Sequence, residues 1–490
     1  MPSRGSKSSI GFAACCLAFF TGCVVGPDYH APKTELPSSW SESIETGGTN
    51  GPMQLVAWWQ NFHDAELEAL ITRAARFNFS LKAAKARVKA ARALRGAALA
   101  DLFPTVDANA SYLSARRSAN ALAFPVQLLD TDTFQAGFDA TWEIDLFGGK
   151  RRALEAANAN LAALVEDQRD VLVSLLAEVA RNYIELRGYQ RRIDIAKKNL
   201  QAQQEAVNIA QLRFKAGLAS ELDVSQANAL LATTKSQVPV LESSLHETLH
   251  HLAILIGKPP GALGTELSAE AAIPKALPRV PEVLPSDLLL RRPDVRRSER
   301  QLAAATAQIG VAKAELFPKF SLTGSAGFQS LHAGNLISPA SEFWNAGPTV
   351  TWRFLEYPRL RASIRSQTAQ QEQALAQYYQ TVLMSLEDVE NALVAYGKEH
   401  ERRGTLAEAV QSSRRSVELS TQLYTKGLGE FLNVIDSERS LYQAEDELAQ
   451  SERSVSINLV ALYKALGGGW ESAQLATEDS NSKNEDPTSR

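Results

Sequence analysis

Between residues 148 and 217 an apolar residue recurs at every seventh position: Val165, Leu172, Val179, Leu186, Ile193, Leu200, Val207 and Phe214. No proline interrupts this run, and past the opening Gly148-Gly149 its one interior glycine is Gly188. A companion series four positions earlier is looser, reading Leu161, Gln168, Leu175, Asn182, Tyr189, Ala196, Gln203 and Ala210. A sustained seven-residue repeat keeps one seam of a helix against a neighbour, because it averages 3.5 residues per turn. At 1.5 Å per residue the predicted helix is about 100 Å long, where an ordinary helix has about 11 residues. A single globular core has no use for such a rod, so other rods must lie beside it.

A second rod follows in the same chain. Moving 210 residues on from the first series gives Leu375, Val382, Val389, Tyr396, Arg403, Val410, Val417 and Tyr424, with Arg403 as the break. The chain therefore reads as a tandem duplication around a long helix.

Four short stretches change period from seven to two. Val106, Ala108, Ala110 and Tyr112 alternate with polar residues, as do Phe134, Ala136, Phe138, Ala140, Trp142 and Ile144. In the second copy the alternation runs through Phe320, Leu322, Gly324, Ala326 and Phe328, and through Trp344, Ala346, Pro348, Val350, Trp352 and Phe354. Each predicts a strand with an apolar, aromatic face and a polar face, of the length of a tilted membrane strand. Arg116, Arg117 and Pro125 fall between the first two strands.

Other landmarks repeat. Leu316-Phe317-Pro318 answers Leu102-Phe103-Pro104, Gly427-Leu428 answers Gly217-Leu218, and Leu432-Asn433-Val434 answers Leu222-Asp223-Val224. Gly217 predicts a left-handed stop for the long helix. Ser220 through Asp223 has the capping-box spacing that starts a return helix to Ile256, ended by Gly257 and Pro259-Pro260. Trp58-Trp59 opens a first helix expected to reach about Leu102, with an alanine face at Ala83, Ala86, Ala90, Ala93 and Ala97.

The resulting division is a signal peptide over 1–22, a lipidated extended arm over 23–57, and a first repeat over 58–257. That repeat has strands near 104–116 and 133–145 and a long helix over 148–216. A Pro-rich linker over 258–285 leads to the second repeat, 286–470, with strands near 318–329 and 344–355 and a long helix over 358–426. Residues 471–490 read as a disordered tail.

Composition narrows the class. The net charge of −4 does not suggest nucleic acid, and 45% hydrophobic residues exclude a wholly disordered chain. All three cysteines, Cys15, Cys16 and Cys23, precede residue 24, so the body has neither a disulfide framework nor a cysteine metal site. Arg4 and Lys7, the apolar run from Ile10 to Phe20, and Phe20-Thr21-Gly22-Cys23 have the layout of a signal peptide. The ending resembles a bacterial lipobox, with cleavage before Cys23 and lipidation of that cysteine. Beyond it no apolar run reaches the eighteen or so residues of a membrane-spanning helix.

Four strands with one apolar face, and no second sheet to cover it, predict a sheet facing lipid. An open edge in lipid leaves backbone groups unsatisfied. Four strands cannot close a barrel, which needs about eight. Closure therefore needs more than one chain, giving eight, twelve or sixteen strands for two, three or four copies.

These features resemble the outer-membrane efflux protein family, the TolC-like proteins, in particular the lipoprotein branch serving resistance–nodulation–division pumps. The resemblance rests on the stretch Cys23-Val24-Val25-Gly26-Pro27-Asp28-Tyr29, on the run from Leu288 to Val295 with Arg291-Arg292-Pro293-Asp294, and on Ile309-Gly310-Val311-Ala312. It also rests on the turn from Tyr424 to Arg439 and on the duplication itself. It implies a mixed, mainly α fold. Three chains would form a twelve-stranded outer-membrane β-barrel continuous with a periplasmic α-helical barrel. The trimer count comes from the resemblance.

The same resemblance implies partners: a periplasmic adaptor (membrane fusion) protein, an inner-membrane resistance–nodulation–division pump and outer-membrane lipid. No cofactor is implied. The function would be passive conduction of drugs or other small toxic compounds outward, with an iris-like gate at the periplasmic helix turns. Leu432, Asp436 and Arg439 match the gate positions. Gly217, Leu218, Ser220, Asp223, Gly427, Leu428 and Glu430 match the periplasmic turns and adaptor contact.

His246-Glu247-Thr248-Leu249-His250 fits H-E-x-x-H, a zinc-protease pattern. The equivalent positions 210 residues on hold Ser456, Ile457 and Val460, and His251 points about 100° away, so a histidine pair on a tunnel helix is the reading adopted. Arg291-Arg292 reads as shaping a helix start. No P-loop, G-x-G-x-x-G or G-x-S-x-G occurs, so the protein is not read as an enzyme and the driving energy must come from a partner. The alternatives are an export duct for polypeptide or polysaccharide with another transporter, and a non-channel periplasmic coiled-coil scaffold.

Overall fold

The computed structural model describes residues 24–41, 55–116, 130–275 and 285–471. The leader over 1–22, Cys23, Arg117, Pro125, Pro278, Pro281 and the tail beyond Glu471 lie outside the described residues. The elements are α1 (Ala65–Phe77), α2 (Phe79–Ala100), β1 (Thr105–Ala115), β2 (Thr131–Ile144), α3 (Gly149–Lys215) and α4 (Glu221–Leu255) in the first copy. The second copy holds α5 (Pro285–Arg291), α6 (Pro293–Ala314), β3 (Lys319–Ser330), β4 (Glu342–Thr351), α7 (Tyr357–Thr425) and α8 (Phe431–Ala465). The chain is thus mainly helical, with each strand pair set between helices, and the order occurs twice. No helix among the described residues is long and apolar enough to cross a membrane.

Two compact units are distinguishable. One comprises residues 1–33, 87–164 and 297–378, the other 34–86, 165–296 and 379–490.

The first unit holds an antiparallel sheet in the order β1-β2-β3-β4. Its register aligns Ala108 with Phe138, Phe138 with Ala326, and Ala326 with Trp344. The next row, Asn109, Gly137, Gly327 and Phe343, points to the opposite face. Gly137 faces Gly327 because nothing larger fits: a Cβ on Gly327 would lie 2.3 Å from the Ala136 carbonyl oxygen. Two tryptophans fasten the sheet in equivalent ways. The indole N–H of Trp142 donates to the Leu102 carbonyl at 3.0 Å, and that of Trp352 to the Leu316 carbonyl at 3.1 Å. β4 ends at Thr351, so Trp352 and Phe354 do not continue the alternation as expected. The Trp352 bond and the 3-10 turn Phe354–Glu356 take the chain off the sheet there.

The second unit has a large apolar core in which Trp58, Tyr183, Tyr396 and Tyr463 are the bulkiest fully buried side chains. Trp58 stacks on Tyr463 with ring centroids 5.2 Å apart. From the seven-residue series of α3, Leu172, Val179, Leu186, Ile193 and Val207 are buried, whereas Phe214 near the helix end is exposed.

Two readings of the sequence need correction. The first helix is not continuous from Trp58 to Leu102: a 3-10 turn over Trp58–Phe62 is followed by α1 and α2. Asp64 caps α1 by accepting from the Leu67 N–H at 3.0 Å. Asn78, buried between the helices, accepts from the Leu81 N–H at 3.0 Å and donates to the Leu255 carbonyl at 2.9 Å. An Asn that offers the backbone an alternative partner breaks a helix. The buried face of α2 is Leu81, Ala84, Val88 and Ala91, while Ala83, Ala86, Ala90, Ala93 and Ala97 are exposed. The described part of the Pro-rich linker is packed. Leu263, Leu267 and Ile273 are buried, and the Leu267 and Ala269 carbonyls accept from Gln190 and Arg187.

Candidate functional site

The helix turns are built by one device used four times. Gly217, Gly257, Gly427 and Gly467 all have φ between 69° and 76°, which a side chain would resist. Each sits in a Schellman motif. At the first turn the Leu218 N–H reaches the Arg213 carbonyl at 2.8 Å and the Gly217 N–H reaches Phe214 at 2.9 Å. At the second, Leu428 reaches Leu423 at 2.9 Å and Gly427 reaches Tyr424 at 3.0 Å. The turns therefore reproduce one another 210 residues apart.

They differ in how the return helix begins. Ser220 caps α4, accepting from the Asp223 N–H at 3.3 Å and donating to its carboxylate at 3.0 Å. The side chain of Glu430, the equivalent residue, makes no capping hydrogen bond to α8. The α7–α8 turn thus lacks a restraint that the α3–α4 turn has.

Around both turns lies a small apolar cluster of Val207, Ala210, Ala227, Leu230, Tyr424, Phe431, Val434 and Ile435. Arg213 at the end of α3 stacks over the Tyr424 ring at 4.7 Å and donates to the Thr425 carbonyl at 3.3 Å. It links the two turns. Burial raises the Tyr424 hydroxyl's pKa, Asp223 adds to this, and Arg213 opposes it. Leu218, Leu428 and Leu432 are exposed around the cluster. Asp436 and Arg439 are also exposed and pair with each other at 3.6 Å. The sequence reading missed Arg213 and Tyr424 as a pair. Tyr424 ends the second heptad series, but nothing in a periodicity indicates which cation meets it.

Two of the sequence's marked stretches meet in the first unit. The Val25 N–H donates to the Phe147 carbonyl at 3.1 Å, and Asp28 pairs with Arg152 at 2.6 Å. Gly26, at φ 106°, lies so close to α6 that a Cβ would sit 2.5 Å from the Gly310 Cα. The tyrosine hydroxyl of Tyr29 donates to Glu299 at 2.9 Å. The residues from Val24 to Tyr29 are thereby seated on the start of α3 and on α6. Cys23, the next residue back, lies outside the described residues.

The third marked stretch is a structural node. The Arg292 guanidinium, nearly buried, donates to Asp294 at 2.7 Å, Asp388 at 2.9 Å, the Ala465 carbonyl at 3.0 Å and the Ser385 carbonyl at 3.4 Å. It ties the α5–α6 junction to α7 and to the end of α8, which is more than shaping a helix start. Arg291 pairs with Glu471 at 3.1 Å. The rings of His246 and His250 are 6.3 Å apart on α4, and His251 turns to Glu178 at 3.0 Å. Among the described residues no group of three or more His, Cys, Asp or Glu is placed to hold a metal ion.

An open sheet with an apolar face, long paired helices and Schellman turns define an outer-membrane duct of the TolC-like class. The family model for outer membrane efflux protein matches residues 70–258 and 284–468, and the chain belongs to that family. It is 33% identical over 486 residues to the pyoverdine export outer membrane protein OpmQ of Pseudomonas aeruginosa, covering 97% of this chain and 100% of that one. It is 30% identical over 471 residues to nodulation protein T of Rhizobium leguminosarum bv. viciae, covering 95% and 94%. The solved outer-membrane channel OprN superposes with a TM-score of 0.87 at 36% identity, over 92% of this chain and 100% of that one. The protein is accordingly an outer-membrane efflux channel.

Proposed function

We propose that three copies of this chain close a twelve-stranded barrel and form the exit duct of a tripartite pump. A periplasmic adaptor and an inner-membrane resistance–nodulation–division pump would deliver small organic molecules to it, and they would leave passively. The observation that carries this reading is the sheet of the single chain. β1 and β4 are its two ends, and its apolar face is uncovered, with Trp344 80% exposed, Val106 63% and Phe138 62%. Lipid accommodates that face, but only closure satisfies the edges. The role of OpmQ in pyoverdine export favours a small-molecule cargo over polypeptide or polysaccharide.

The periplasmic gate is assigned to Leu432, Asp436 and Arg439 on α8, with Gly217, Leu218, Ser220, Asp223, Gly427, Leu428 and Glu430 forming the turns that meet the adaptor. In a three-fold assembly the exposed Asp436 would recur as an acidic ring, with Arg439 beside it. The missing cap at Glu430 supports this choice, since a gate needs the less restrained of the two turns. Lipidation is assigned to Cys23. The seating of Val25 and Asp28 at the end of β2 and start of α3 supports it, because an acyl chain attached one residue before Val24 would start beside the lipid-facing sheet.

Native mass spectrometry of the detergent-extracted mature protein tests the assembly. Three chains, each beginning at an acylated Cys23, are expected. A detergent-free soluble monomer or dimer would refute it and favour the coiled-coil scaffold.

A further inference from the structure

The apolar cluster at the turns is bounded by polar side chains that have been taken out of water. Gln203 lies one turn before Val207 on α3, Thr234 one turn after Leu230 on α4, and Glu438 one turn after Val434 and Ile435 on α8. Their exposures are 2%, 2% and 8%. Neither polar atom of the Gln203 amide has a hydrogen-bond partner, and neither does Oε2 of Glu438. A buried carboxylate without a partner is costly; its protonated form is much less so.

We propose that Glu438 is a proton-binding site that sets how firmly the α7–α8 turn packs against α3 and α4. With the proton on, the carboxyl is neutral and the layer above the apolar cluster stays dry and closed. With the proton released to solvent, the carboxylate must gain water or move toward it, and the start of α8 loosens.

The charged groups on the surrounding elements are paired elsewhere or exposed; on α3 Glu205 is exposed, and on α7 Arg415 pairs with Glu418 at 2.6 Å. On α3, Arg213 is held at Tyr424 and Thr425, and Arg192 pairs with Asp446 at 2.6 Å. On α4, Asp223 is bonded to Ser220 and Lys235 is exposed. On α7, Arg414 pairs with Glu445 at 2.7 Å. On α8 itself Asp436 and Arg439 pair with each other. Tyr424 and Tyr442 are both raised by burial, so they remain neutral where Glu438 titrates. Burial is the cause that pushes Glu438 up to about 7. The sign follows: a carboxyl raised in the packed state favours packing below its ordinary range near 4.5 and loses that advantage as pH rises through 7.

The effect on flow rests on the gate assignment above; the effect on packing does not. The test is amide hydrogen exchange of residues 424–440 in the intact protein in lipid nanodiscs, at pH 5.5 and 8 and corrected for intrinsic rates. Opening of the start of α8 should increase about 25-fold over that range, if the carboxyl titrates at 4.5 when open and 7 when packed. Glu438→Gln should remain at the protected level at both pH values, and Glu438→Leu should do the same. A wild-type change below about 2-fold, or the same pH response in both variants, would overturn the proposal. Failure of the gate alone would appear differently, as normal exchange behaviour with a conductance that ignores the α8 turn.

Discussion

Replacing Arg292 with methionine keeps the side-chain stem and removes the guanidinium. That stem packs against Gly467, where a Cβ would lie 3.2 Å from the Arg292 Cα and Cγ. The loss leaves the carboxylates of Asp294 and Asp388 without this partner, along with the Ala465 and Ser385 carbonyls. Breaking a fully buried pair costs about 3–5 kcal/mol. The Arg292 side chain is only 11% exposed, but Asp388 is 54% exposed and can be rehydrated. Asp294, at 21%, can recover less. The lower end of the range, about 3 kcal/mol, is therefore expected. For a unit of this size that corresponds to a melting shift of roughly 5 °C. Arg292→Lys retains one charge but not the fork, and should fall between. Circular dichroism at 222 nm on the purified protein reads both. A shift below about 1 °C for Arg292→Met would show that the node carries no net stability and would refute the reasoning.

Two further substitutions probe the arm and the turns. Gly26→Ala places a Cβ 2.5 Å from the Gly310 Cα at a φ of 106°, so overpacking and backbone strain together should cost about 2–4 kcal/mol. Faster proteolysis within residues 24–33 would report the unseated arm. Glu430→Ser gives α8 the cap that Ser220 gives α4, and should protect the start of α8 by about 1 kcal/mol in hydrogen exchange.

Much of this architecture is written in periodicity. Seven-residue spacing over α3 and α7 requires partners along the whole length, so the pattern is long and redundant. The strand pairs carry a strict two-residue alternation, and glycines such as Gly217 and Gly427 announce their left-handed turns. The features that sequence reasoning missed depend on single contacts. Asn78 breaks a helix because its amide reaches Leu255 from a distant helix. The residues after Ile256 resemble a linker by their prolines, yet Leu263, Leu267 and Ile273 complete the core. Arg292 sits beside a proline in a stretch read only as a resemblance and a helix start, but its four partners come from three elements. Glu438 is a polar letter on an amphipathic helix, indistinguishable in sequence from the exposed Asp436 two residues earlier.

The proposed gate pair is exposed, at 58% for Asp436 and 64% for Arg439, so its removal should change stability by less than about 1 kcal/mol. Any large effect must then come from the assembled duct. Single-channel recording in planar bilayers makes this the most direct test. The wild type should show discrete steps of low conductance, and Asp436→Ala with Arg439→Ala should raise the step size in a protein that melts as before. Equal conductance in the two proteins would remove these residues from the gate, and no current from either would contradict the account of a duct.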